Sequence, residues 1–148
     1  MLLSFSMTNN GLDHDDVLRI DGSSLTLEDV ERVAHRRISR CELGEKARAA
    51  MEISRGRVTE LVESGATVYG VNTGFGHFGQ VRVESKQIDQ LQLNLVRSHA
   101  AGVGSPLPLE SVRAIMLLRA NVLASGYSGA RGVVADQLIT LLNRDVCP

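Results

Sequence analysis

The chain has no tryptophan, and two tyrosines and three phenylalanines are its only aromatics. It has no excess of either charge: sixteen Lys and Arg stand against seventeen Asp and Glu. Without a basic surplus to displace counterions from phosphates, nucleic acid is an unpromising partner. No apolar run approaches the ~20 residues of a membrane-spanning helix. The first residues, Met1 to Phe5, lack the basic flank and apolar length of a signal peptide, so a cytoplasmic location is expected. The two cysteines, Cys41 and Cys147, lie far apart with no Cys-x-x-Cys spacing, and read as small hydrophobes rather than a disulfide or metal pair. The histidines (His14, His35, His77, His99) show neither H-E-x-x-H nor Cys/His spacing, so no metal site is expected.

What remains is a chain of 148 residues, 43% apolar and 22% charged, suited to one globular unit. Residues 1–16 are polar and acidic and read as a flexible N-terminal tail, with the folded part expected over 17–148. Val17-Leu18-Arg19-Ile20-Asp21 alternates as a short strand closed by Gly22 and Ser23. Thr26 with Asp29 forms a capping-box pattern that opens a helix, on which Leu27, Val30, Ala34 and Ile38 share a face. A second helix is expected over 42–64, with Glu42 and Lys46 paired on its wet side, Gly56 as a weak point and Gly65 as a left-handed cap. Further helices are expected over 85–100 and 109–125, and a fifth capped by Ser128. The last two are apolar around most of their circumference and want cover on several sides.

Three of the five aromatics (Tyr69, Phe75, Phe78) fall in one glycine-rich window. Within it, Gly74-Phe75-Gly76-His77-Phe78-Gly79 matches the letters G-x-G-x-x-G. The segment after it does not open an amphipathic helix in a βαβ unit, so dinucleotide binding is set aside. Tyr69-Gly70-Val71-Asn72-Thr73-Gly74-Phe75-Gly76 is more informative. Its glycines permit positive φ and close approach to a ligand, making a hinge that carries a tyrosine over a pocket. On residue types alone, a tyrosine that anchors a turn is the favoured reading. His99, in Leu95-Val96-Arg97-Ser98-His99-Ala100-Ala101-Gly102, ends a helix beside small residues, where capping or packing is the simpler role.

The window at 69–76 resembles the lid-loop motif of the aromatic amino acid ammonia-lyase family. So do Asn94 to Gly102, Val112-Arg113-Ala114-Ile115-Met116 and Gly126-Tyr127-Ser128-Gly129-Ala130-Arg131, in the same order and spacing. The resemblance covers residues 17–148, and Ser98-His99-Ala100 is most similar to the branch that acts on histidine. It implies a mainly α chain: the helical N-terminal region of a fumarase/aspartase-like fold, with a short strand and a glycine-rich lid loop (Gly70, Asn72, Thr73, Gly74, Gly76). The implied reaction is non-oxidative removal of ammonia from L-histidine to give trans-urocanate, assisted by a methylideneimidazolone group cyclised from an Ala-Ser-Gly tripeptide. Tyr69 would be the base on the β-hydrogen, a role that asks a phenol of ordinary pKa about 10 to work near neutrality. His99 would bind the substrate.

Relatives place the cyclising tripeptide after the position matching Pro148, so Ala124-Ser125-Gly126 is expected to be an ordinary helix end and the cofactor-forming residues to lie outside this chain. The chain would then be the N-terminal part of a longer enzyme, inactive alone, and the whole protein a homotetramer whose active sites draw on three subunits. An amino acid is the expected partner, with no nucleic acid, membrane or metal. A tyrosine or phenylalanine ammonia-lyase or 2,3-aminomutase is the nearest alternative; a non-catalytic helical module that associates with lyase subunits is another.

Overall fold

The computed structural model describes residues 16–73 and 85–148. In chain order the elements are β1 (Val17–Ile20), α1 (Leu27–Ala34), β2 (Arg40–Leu43), α2 (Glu45–Glu63), α3 (Ser85–His99), α4 (Leu109–Ala124) and α5 (Gly132–Asn143). The expected tail 1–16, Asp16 apart, lies outside the described residues, as do Gly74 and Gly76 of the lid loop. No described helix is long and apolar enough to cross a membrane.

The strand at 17–20 forms as expected, but it has a partner. β2 lies parallel to β1, with Val17 opposite Arg40 and Ile20 opposite Leu43. The helix expected from residue 42 therefore begins three residues later. Leu43, Ala47, Ala50 and Met51 continue a helical spacing backwards, which hid the strand. Arg40 and Glu42 instead share the outer face of β2, 3.2 Å apart, while Cys41 points into the core. Glu42 consequently makes no helical pair with Lys46.

The turn between β1 and α1 is closed by Asp21. One carboxylate oxygen accepts from the backbone N–H groups of Ser23 and Ser24, both at 2.8 Å, and the other accepts from Ser24 Oγ at 2.8 Å. The backbone bonds from Ser24 and Ser23 hold the Asp21 pKa down at about 2. α1 then opens with a full capping box. Thr26 Oγ1 accepts from Asp29 N, and Thr26 N donates to Asp29 Oδ2. Its inward residue is Val33; Leu27 is exposed, and Ile38 lies beyond the helix end.

α2 runs unbroken through Gly56, and Gly65 takes the left-handed conformation expected of its cap. α4 is the hub, packed on α1, α5, α2 and β1. One core joins Ile20, Val33, Cys41, Ala47, Met116, Leu117, Ala120 and Ala124 with Ile139 and Leu142. A second, formed by Met51, Leu123 and Ala135, sits between α2, α4 and α5. The opposite side of α4 stays uncovered: Ile115, Leu118 and Val122, one helical face, are all exposed, as are Val133 and Val134 at the start of α5. α5 is capped at Arg131 rather than Ser128, whose hydroxyl instead accepts from Ala130 N.

Arg113 is absent from the apolar pattern of α4, yet it is buried. Its Nε donates to Val33 O at 3.0 Å, and Nη1 donates to Leu142 O at 3.3 Å and to Asp145 Oδ1 at 2.7 Å. Nearby, Asn143 completes the free edge of β2. Its Oδ1 accepts from Cys41 N at 2.8 Å and its Nδ2 donates to Cys41 O at 2.9 Å, as a neighbouring strand would.

Gly22 has φ +85°, and a Cβ there would lie 2.3 Å from Ser125 N. Gly22→Ala combines a left-handed penalty of about 1–2 kcal/mol with a backbone clash, so the thermal midpoint should drop sharply. Gly56 meets nothing within 4 Å, and Gly56→Ala should raise stability by about 0.5–1 kcal/mol. Thermal unfolding of the two variants checks both signs. Burial pushes the Cys41 thiol up to about 11. This raised pKa contributes stability below pH 9 that is lost as pH climbs through 11. At pH 8 a thiol reagent should label the half-buried Cys147 quickly and Cys41 only on unfolding.

Candidate functional site

The root of the expected lid loop follows directly on the end of α2. After Gly65 the chain turns at 68–71, with Val71 N and Asn72 N both donating to Val68 O. Gly70 takes φ +74° there, a conformation that a side chain would strain. Asn72 and Thr73 are 3% and 1% exposed. Asn72 Oδ1 accepts from Val68 N at 2.8 Å, and Asn72 Nδ2 donates to Ala66 O at 2.7 Å. Thr73 Oγ1 accepts from Gly70 N at 3.2 Å. Tyr69 stands between these tied residues with its side chain 65% exposed. The root of the loop is thus a hydrogen-bonded cradle where the glycine count suggested a hinge.

Beside it lies an open groove of about 570 Å³. α2 supplies Arg55, Val58 and Val62, the loop root Gly70 and Val71, α3 Gln92, and the α4–α5 connection residues 128–131. Tyr69 and His99 are not part of this lining. The α4–α5 connection is seated on α2 by two glycines that admit no side chain. A Cβ on Gly126 would lie 2.8 Å from Ala50 Cβ, and one on Gly129 would lie 2.4 Å from Val58 Cγ2. Ser54 Oγ accepts from Gly129 N at 3.0 Å and fixes the seat. Three stretches far apart in sequence therefore meet at this groove. Ser54 carried no sequence signal, because a serine on an exposed-looking helix face is unremarkable until its partner is known.

His99 is the last residue of α3 and is exposed. Its Nδ1 lies 2.9 Å from Leu95 O and 3.0 Å from Ser98 Oγ, while Ser98 Oγ donates to Leu95 O at 2.9 Å. A carbonyl can only accept, so this contact places a proton on Nδ1, and in the corresponding neutral tautomer Nε2 is the acceptor.

Ala124-Ser125-Gly126 is a helix end. Ala124 closes α4 and is buried, Ser125 Oγ donates to Val122 O at 2.7 Å, and Gly126 N donates to Leu123 O at 3.1 Å. Gly126 takes φ +77° pressed against Ala50. A tripeptide that must close into a five-membered ring and present it to a substrate does not fit this capped, packed position. The described residues hold no group of three or more His, Cys, Asp or Glu placed to bind a metal.

The aromatic amino acid lyase profile matches residues 25–148. Over 132 residues the chain is 48% identical to histidine ammonia-lyase of Streptococcus gordonii, covering 89% of this chain and 26% of that protein. Among solved structures it is similar to histidine ammonia-lyase from Trypanosoma cruzi, with TM-score 0.76 and 35% identity, covering 86% of this chain and 24% of that one. Tyrosine aminomutase from Streptomyces globisporus matches with TM-score 0.80 and 36% identity, covering 86% and 24%. The chain spans about a quarter of the length of these relatives.

Proposed function

The chain belongs to the aromatic amino acid lyase family, and from that membership we propose that it is the N-terminal part, residues 17–148, of the catalytic domain of a cytoplasmic histidine ammonia-lyase. The reaction is elimination of ammonia from L-histidine to give trans-urocanate. The observation that carries this reading is the similarity to histidine ammonia-lyases along nearly the whole chain, including the segments that hold Tyr69 and His99.

In this reading Tyr69 takes the β-hydrogen of the substrate on its phenolic oxygen. The exposed side chain on a fixed backbone supports the role, since a base must be held within hydrogen-bond reach of the proton it removes. A methylideneimidazolone group, when present, would supply electrophilic assistance to the departure of ammonia. Its precursor tripeptide lies beyond Pro148, and Ala124-Ser125-Gly126 stays an ordinary helix cap. His99 reads the substrate's imidazole by accepting its N–H on Nε2, the acceptor that the Leu95 carbonyl leaves available. A site built around that bond disfavours a phenyl ring, which offers no donor and leaves the acceptor unpaired.

The residues of this chain supply the base and a recognition group, but not the electrophile. The complete protein assembles as a homotetramer in which Tyr69 serves a neighbouring subunit's site. The uncovered apolar face of α4 (Ile115, Leu118, Val122) supports this assembly.

The full-length protein incubated with L-histidine should develop the absorbance of urocanate; turnover of tyrosine or phenylalanine alone would overturn the substrate assignment. Tyr69→Phe should lower kcat by about 10²–10⁴-fold, the usual reach of general base catalysis, while leaving the thermal midpoint in place. His99→Leu should cost about tenfold or more in kcat/KM for histidine and shift relative preference toward phenylalanine. Steady-state kinetics on both amino acids reads both effects.

A further inference from the structure

We propose that Asn72 is a positioning residue whose buried carboxamide sets the direction in which Tyr69 leaves the backbone. The inference rests on the reading of Tyr69 as the base.

Each neighbour of Tyr69 in the chain is tied down. On the N-terminal side, the N–H of Val68 donates to Asn72 Oδ1, and its carbonyl accepts from Asn72 N at 3.2 Å. On the C-terminal side, the N–H of Gly70 donates to Thr73 Oγ1. Asn72 Nδ2 reaches one step further back, to Ala66 O at 2.7 Å. One side chain therefore bonds the chain at two points ahead of Tyr69 and, through its own backbone, at a third.

The chemistry singles out asparagine. The site presents an N–H and a C=O, so it needs an acceptor and a donor on one short planar group. The same pairing fixes which end of the carboxamide is oxygen. Aspartate keeps the acceptor but sets a carboxylate oxygen against the Ala66 carbonyl. Alanine leaves a buried N–H and C=O unsatisfied. Glutamine carries an extra methylene into a site that is 97% closed to solvent. None of these changes removes the phenol, so a loss of turnover that disappears once Tyr69 is replaced by Phe must pass through where the phenol is held.

The test uses the full-length enzyme with Asn72→Ala and Asn72→Asp, each alone and combined with Tyr69→Phe. Displacing a reacting group by about 1 Å costs roughly a hundredfold in rate. Asn72→Ala should lower kcat on L-histidine by that order while KM moves less than about threefold. In the Tyr69→Phe background the same substitution should alter the residual rate by less than about threefold, because the group it positions is gone. Asn72→Asp, which preserves the shape and the acceptor, should show the same pattern, and it carries the test if the alanine variant does not fold.

A kcat kept within about threefold of wild type, or an equal loss in both backgrounds, would overturn the positioning role. The two ideas fail separately. A Tyr69→Phe enzyme that keeps most of its rate sinks the base assignment, whereas an inactive Tyr69→Phe beside fully active Asn72 variants sinks only this inference.

Discussion

The guanidinium of Arg113 is the fixed point of the molecule. It is buried where the last turns of α1 and α5 converge on α4, and it donates to one carbonyl from each turn. Val33 O and Leu142 O also accept from Arg36 N and Asp145 N, and because helix C-termini carry partial negative charge, a cation between two of them is stabilised by both. Asp145 supplies the formal counter-charge and is shared with Arg36, 2.5 Å away. Both Asp145 and Arg36 sit at positive φ, near +57° and +58°. This conformation is uncommon for such residues, and the shared ion pair helps to hold it. A buried charge without partners would cost several kcal/mol, and the three elements are held in the one arrangement that supplies them.

That arrangement places α4, and through it the connection to α5, against α2. Gly126 and Gly129 bring the connection so close to α2 that no side chain fits between. Ser54 then fixes its height. α2 in turn ends at the lid-loop root, where Asn72 and Thr73 hold the backbone around Tyr69. Tyr69 thus stands at the far end of a run of contacts that starts at the buried arginine. The Tyr69 side chain and the His99 imidazole are both exposed.

Much of this was legible in advance where the signal is local. The Thr26 capping box, the left-handed Gly65 and the helices near 85–99 and 109–124 follow from short-range rules, and the structure has them. β2 was not legible. Its four residues continue the helical period of α2, and only pairing with β1, across more than twenty positions, turns them into a strand. The same limit applies to Ser128. Its hydroxyl suited a helix cap, but seating Gly129 on Ser54 shifts the helix start to Gly132.

The sequence by itself determined the family and the aliphatic helix faces, because motifs and periodicity are properties of neighbours along the chain. Tertiary structure alone decided that Arg113 is buried, that Asn143 completes the edge of β2, and that Asn72 grips the backbone on the N-terminal side of Tyr69. Each of these depends on a hydrogen-bond donor or acceptor that folding removes from water. Such a group must then find a partner wherever the fold has placed one, and no spacing along the chain records where that is.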